Sequence, residues 1–120
     1  MINQGIVYTY INKYNEAEKN YLDALNIYQQ EKNVAGLSPT YNSLAKIYFA
    51  KKDYEKTIEY YKQSEKYSIE SNNSFNLIST YNSLAIVYKE LKKYNEAKIY
   101  SEKSIAISKQ IGALEREMFC

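Results

Sequence analysis

Thr40-Tyr41-Asn42-Ser43-Leu44-Ala45 returns unchanged as Thr80-Tyr81-Asn82-Ser83-Leu84-Ala85, a shift of 40 residues in a chain of 120. Repetition at such a period marks stacked supersecondary units, so it decides the fold class before any local reading does. The phase extends well past the six identical residues. Gly5, Ala45 and Ala85 share one position, and Tyr8, Tyr48 and Tyr88 another. Tyr14, Tyr54 and Tyr94 align, then Ala17, Thr57 and Ala97, then Tyr21, Tyr61 and Ser101. Lys13-Tyr14-Asn15-Glu16-Ala17 recurs as Lys93-Tyr94-Asn95-Glu96-Ala97, with Asp53-Tyr54-Glu55-Lys56-Thr57 as the middle copy. Three copies is roughly the minimum at which stacked units bury a continuous core.

Composition points the same way. With 3 Gly and 1 Pro, a chain rich in Lys, Glu, Ala, Leu and Ile has few breakers and reads as helices joined by short turns. The 15 Tyr and absence of Trp are unusual, but most tyrosines recur at repeat-locked positions, so packing accounts for them better than base stacking does. Tyr10, Tyr60 and Tyr100 lie off the main core phase and are expected to be partly exposed. A net charge of +2, with Arg116 the single arginine, argues against nucleic acid.

Chemistry is equally sparse. There is no His, the commonest general base and metal ligand. Cys120 has no imidazole partner, and no Gly-rich phosphate loop exists. Glu16, Glu18, Glu31, Glu96 and Glu102 sit among lysines at helical spacing and read as solvated faces. No enzyme activity, cofactor or metal is expected. No apolar run approaches a membrane span and no secretory leader pattern opens the sequence. The lone cysteine cannot form an internal disulfide, and a cytoplasmic setting is expected.

Along the chain, residues 1–12 read as the later part of a helix, with Asn12-Lys13 turning into an amphipathic helix over 14–32. Asn33 closes it. Ser38-Pro39 suggests a helix start, or a kink if the second unit's helix begins earlier, near Val34. That helix runs to about Ala50, Lys51-Lys52 turns the chain, and Asp53 caps a helix over 54–71 that buries Tyr54, Thr57, Ile58 and Tyr61. Asn72-Asn73-Ser74 and Leu91-Lys92-Lys93 are the next turns, flanking helices 75–90 and 94–110. Gly112 is placed as a C-terminal cap. The units are then 1–33, 34–73 and 74–112, with 113–120 the stub of a further helix.

Small residues at Ala45 and Ala85 follow Leu44 and Leu84 and precede Tyr48 and Tyr88 by three; Ala17 is followed four residues later by Tyr21. This pattern resembles the tetratricopeptide repeat, over the whole chain. Tyr41 and Tyr81 stand in place of that family's usual Trp, Gln4 in place of the leucine, Ser101 in place of the second-helix aromatic, and the late Pro is absent. The period exceeds the family's commonest spacing of about 34 residues and is similar to that of bacterial peptide-sensing regulators and kinesin light chains. The resemblance implies an all-α solenoid: three helix-turn-helix units, six main helices, in a right-handed superhelical stack.

It also implies a peptide or protein ligand, held on the concave face by first-type helices. On helical spacing, Asn42, Lys46 and Phe49 share one stripe and Asn82, Ile86 and Lys89 another, turned away from Leu44, Ala45 and Tyr48. An Asn amide both donates and accepts, so Asn42 and Asn82 suit the main chain of an extended peptide. Lys46 and Lys89 suit a carboxylate, and Phe49 and Ile86 offer apolar pockets. The expected function is a binding scaffold within a larger regulatory protein. The alternative is a structural segment that self-associates head to tail through incomplete terminal helices.

Overall fold

The computed structural model describes the backbone of residues 2–118 and the side chains of residues 13–112. Five helices follow one another: α1 Ile2–Glu31, α2 Val34–Ala50, α3 Tyr54–Glu70, α4 Ser74–Glu90 and α5 Tyr94–Met118. α2 packs most extensively on α3 and α4 on α5; α1 lies against α2, α3 against α4, and α2 also touches α4. The result is an all-α, tetratricopeptide-like solenoid measuring 58 × 38 × 26 Å.

One turn design joins all five helices. Lys32, Lys52, Asn72 and Lys92, spaced every 20 residues, have φ of 55, 64, 55 and 62°. At the second turn the Lys52 N–H donates to the Phe49 carbonyl at 3.0 Å and the Asp53 N–H to the Tyr48 carbonyl at 2.9 Å. These are the paired bonds of a Schellman close, and the same pairing recurs at the other three turns. A left-handed φ costs a residue with a Cβ about 1–2 kcal/mol, so satisfying the helix-end carbonyls offsets real strain at three lysines. The following helices are capped: Asn33, Asp53 and Asn73 accept from the N–H of Gly36, Lys56 and Asn76 at 3.1, 3.3 and 3.0 Å. Asp53 therefore acts as expected. Asn33 does two jobs, closing α1 with its N–H and opening α2 with its side chain.

The helix count departs from expectation at both ends. The next terms of the 20-residue series are Asn12 and Gly112, read above as a turn and a cap. The backbone instead continues helically through each, so five helices form where six were expected. A turn gives up helical hydrogen bonds and is repaid only by packing of the folded-back segment; residues 2–11 would make a helix too short to hold itself without such packing. The expected break before 113–120 is likewise absent as far as Met118, and Cys120 lies outside the described residues. Pro39 neither starts nor ends its helix: α2 already begins at Val34. Its ring faces solvent, and the lost N–H forgoes one bond, to the Ala35 carbonyl.

Two apolar clusters hold the helices together. Leu25 of α1 meets Leu37, Tyr41, Leu44 and Tyr48 of α2. Ala45 and Tyr61 meet Tyr81, Leu84, Val87 and Tyr88 of α4. Tyrosine rings pack edge to face and in stacks, Tyr48 on Tyr60 at 5.0 Å and 90°, and Tyr88 on Tyr100 at 5.5 Å and 5°. Tyr60 and Tyr100 are half-buried, as their phase suggests, while Tyr10 falls outside the described side chains. Close approach of α1 and α2 depends on Gly36, where an added Cβ would meet the Tyr28 ring at 2.7 Å. Thr57 and Tyr61 are buried as read from sequence, and Tyr54 and Ile58 half-buried. Tyr21 and Tyr94 depart from the core phase at 38 % and 63 % exposed. Tyr61 is buried between Ala45 of α2 and the α4 residues of its cluster, whereas residues 2–11 extend α1 rather than folding back over Tyr21, and no described helix lies over Tyr94.

Between α2, α3 and α4 the seam is polar. Ser38 and Ser68 hydroxyls lie 2.9 Å apart, and Ser64 Oγ donates to the Ser38 carbonyl at 3.0 Å and lies 3.0 Å from Thr80 Oγ1. Asn76 Nδ2 donates to Ser38, Ser64 and Ser68 at 2.6, 3.1 and 2.7 Å. Asn42 Nδ2 donates to Thr80 Oγ1 at 2.9 Å, and Thr80 donates to the Asn76 carbonyl at 2.8 Å. Among the described residues no buried polar side-chain atom lacks a partner.

α1 is tied to α2 by charge. Lys51 Nζ reaches both Glu18 and Asn15, and Tyr48 Oη donates to Glu18 Oε1 at 2.9 Å. The Lys51 hydrogen bond is the main reason the Glu18 carboxyl sits below its ordinary pKa, and the Tyr48 hydrogen bond adds to it. Burial first, then that bond to Glu18, pushes the Tyr48 phenol upward, so it remains a donor. A depressed carboxylate stabilises the fold above its unfolded pKa and loses that contribution as pH falls through the folded value. Both partners are part-exposed, so the contribution is at most about 1 kcal/mol. In urea titrations, Glu18→Gln is expected to lower the midpoint near neutrality, and the gap to the parent is expected to close progressively as pH falls below the unfolded carboxylate value of about 4.3. A gap that persists at acid pH assigns the loss to packing instead.

Candidate functional site

The α4 stripe read from sequence opens into a single cleft. Asn82, Ile86 and Lys89, all exposed, face Tyr94, Ala97, Lys98 and Ser101 of α5 across a depression of about 390 Å³ floored by Ala85. Spacings of four and three residues put the α4 trio on one side of its helix, and Tyr94, Ala97, Lys98 and Ser101 share a side of α5 in the same way. Leu84 and Tyr88 point inward to the core and fix the rotation of α4 that turns the trio out.

Chemically the cleft pairs an apolar centre with cations. Ile86 is 53 % exposed, an uncovered apolar side chain between an amide at Asn82 and the ammonium groups of Lys89 and Lys98. The Ser101 hydroxyl and Tyr94 phenol can donate or accept. No carboxylate, thiol or imidazole lines it. Among the described residues no group of His, Cys, Asp or Glu is arranged to hold a metal, and no described helix is long and apolar enough to cross a membrane.

The α2 stripe behaves differently. Lys46 is exposed and Phe49 half-buried, its ring 5.7 Å from that of Tyr54. Asn42 is only 4 % exposed, with its amide on Thr80. The expectation that Asn42 presents its amide to a ligand is therefore corrected, since α4 lies across it and takes that hydrogen bond.

A model of the tetratricopeptide repeat matches residues 36–110, the stretch that holds α2 to α4 and most of α5. The chain belongs to the tetratricopeptide repeat family. No curated protein matches it. Tetratricopeptide repeats mediate protein–protein interaction as non-catalytic scaffolds. The α5 side of the tetratricopeptide cleft was not singled out in the sequence, because Tyr94 and Ala97 share phase with the core positions Tyr54 and Thr57. A signal was present: Ser101 replaces buried Tyr61, and Lys98 replaces half-buried Ile58.

Proposed function

We propose that the chain is a binding module that takes a peptide or protein segment in the groove lined by Lys46 and Phe49 of α2 and by Asn82, Ile86 and Lys89 of α4. It performs no reaction. It would act as one segment of a larger regulatory protein in the cytoplasm, built of units 1–33, 34–73 and 74–112. The observation that carries this reading is the convergence of Asn82, Ile86 and Lys89 on one open cleft of about 390 Å³. An exposed aliphatic side chain supplies area, an amide offers paired hydrogen bonds to main chain, and lysine ammonium groups favour a carboxylate.

The test is selection of peptides on the full chain, followed by substitution. Asn82→Ala and Lys89→Ala should each weaken a selected peptide about tenfold, the size of a strong interface contact, with helicity and urea midpoint unchanged. Affinities that ignore both substitutions would remove the groove from consideration.

A further inference from the structure

The α4–α5 cleft is the surface that received α4, moved on by one repeat. Asn82 stands 40 residues after Asn42, whose amide bonds Thr80 of α4. Ala85 stands 40 after Ala45, fully buried in one cluster with Leu84 and Val87 of α4. Ser101 stands 40 after Tyr61, 2 % exposed in the same cluster. The cleft thus has the shape of a helix seat: small residues at its floor, and an amide where the seated helix α4 supplies a hydroxyl.

It is not a plain copy of that seat. Phe49 and Ile58, which pack against the cluster that includes Val87, are replaced in the next repeat by Lys89 and Lys98. The Asn42–Thr80 bond joins positions 38 apart, and the same offset sets Val87 beside Phe49. A helix laid here in the register of α4 would therefore bring its counterpart of Val87 beside Lys89, with Lys98 on the same seat. Val87 itself is 1 % exposed, so that counterpart would lie in a partly dried position. An apolar residue there leaves both cations without a partner; a carboxylate pairs with them and offsets part of their charge.

We propose that the α4–α5 cleft seats an amphipathic α-helix of a protein partner, in the register that α4 holds over α2 and α3, with a carboxylate at the place of Val87. This rests on the reading that the groove binds polypeptide, and it specifies the partner as a helix with an acidic side chain rather than an extended peptide. Continuity with the observed α2–α3–α4 seam gives the helix and its register. The exchange of Phe49 and Ile58 for Lys89 and Lys98 gives the charge.

The probe is a synthetic peptide with the sequence of Ser74–Glu90 carrying Val87→Glu, stapled on its outward face so that helix formation is not the limiting cost. It is titrated by fluorescence anisotropy onto the full chain, beside a Val87→Lys peptide. The acidic peptide should bind about tenfold more tightly than the basic one, and the preference should invert on the Lys89→Glu/Lys98→Glu chain. Amide shifts should centre on α4 and α5. Equal affinity of the two peptides, or shifts showing that the peptide displaces α4, overturns the proposal. If selected extended peptides bind through Asn82 and Lys89 while neither helix does, the helical partner is wrong and the groove reading stands. If neither class binds, both readings fall. Sedimentation that shows a dimer of the parent, dissolved by Lys89→Glu, overturns it in favour of a second copy of the chain.

Discussion

Leu84→Ala is expected to lower the unfolding free energy by about 2–5 kcal/mol. Leu84 has no exposed surface and lies where Ala45 of α2, Tyr61 of α3 and Tyr81 and Tyr88 of its own helix converge. Removing its branched end leaves a void walled largely by aromatic rings. Those rings are held by their own contacts, Tyr81 near Tyr100 at 5.8 Å and Tyr88 stacked on Tyr100 at 5.5 Å. They have little freedom to collapse inward, which places the cost toward the upper part of the range. In a solenoid each unit is stabilised chiefly by its neighbours, so the loss also weakens coupling between α2–α3 and α4–α5. Urea unfolding followed by circular dichroism should show an earlier and broader transition. A shift below about 1 kcal/mol would mean that the cluster relaxes to fill the space, against the rigid packing described.

The second large effect separates two residues that look alike. Asn42→Ala should cost about 1–3 kcal/mol, the usual loss when a buried hydrogen-bonding pair is broken. Its amide is the donor to Thr80 Oγ1, and the side chain is only 4 % exposed. Asn82→Ala, at the same phase of the repeat, should leave stability unchanged because that side chain faces solvent. Comparing the two variants in one urea series checks both. Equal destabilisation would show that Asn82 also bonds within the chain, and would withdraw it from the groove.

That pair shows where sequence reading stops. The hexapeptide around Asn42 is identical to the one around Asn82, so no local feature distinguishes them. The difference is whether another first-type helix lies across the residue, and α4 does so only for Asn42. Tyr94 misses the core for the same reason, and Tyr21 misses it because residues 2–11 continue α1 instead of folding back over it. The fold itself was legible because a 40-residue echo, small residues beside leucines and repeat-locked tyrosines all require helices packed closely in series. Asp53 was legible as a cap because capping is a local bond. Asn12 and Gly112 were not, because whether a helix turns there depends on packing gained afterwards. The seam polarity carried a signal that periodicity alone passes over: Thr57, Tyr61, Ser64 and Ser68 form one stripe of α3, and every member is buried. Hydroxyls at core spacing point to a partner helix with matching polar groups.

That polar seam has a consequence for how the units recognise each other. An oily interface tolerates sliding, since one leucine does as well as the next. Here a slip of α4 by one helical turn would bring Leu84 to the place of Thr80, opposite the Asn42 amide and the Ser64 hydroxyl, and move Thr80 up to the place of Asn76. The Ser38, Ser64 and Ser68 hydroxyls would lose the amide that now serves all three. Misalignment therefore strands several buried polar groups at once. The seam works as a keyed joint: greasy enough to close, and marked so that it closes in one alignment.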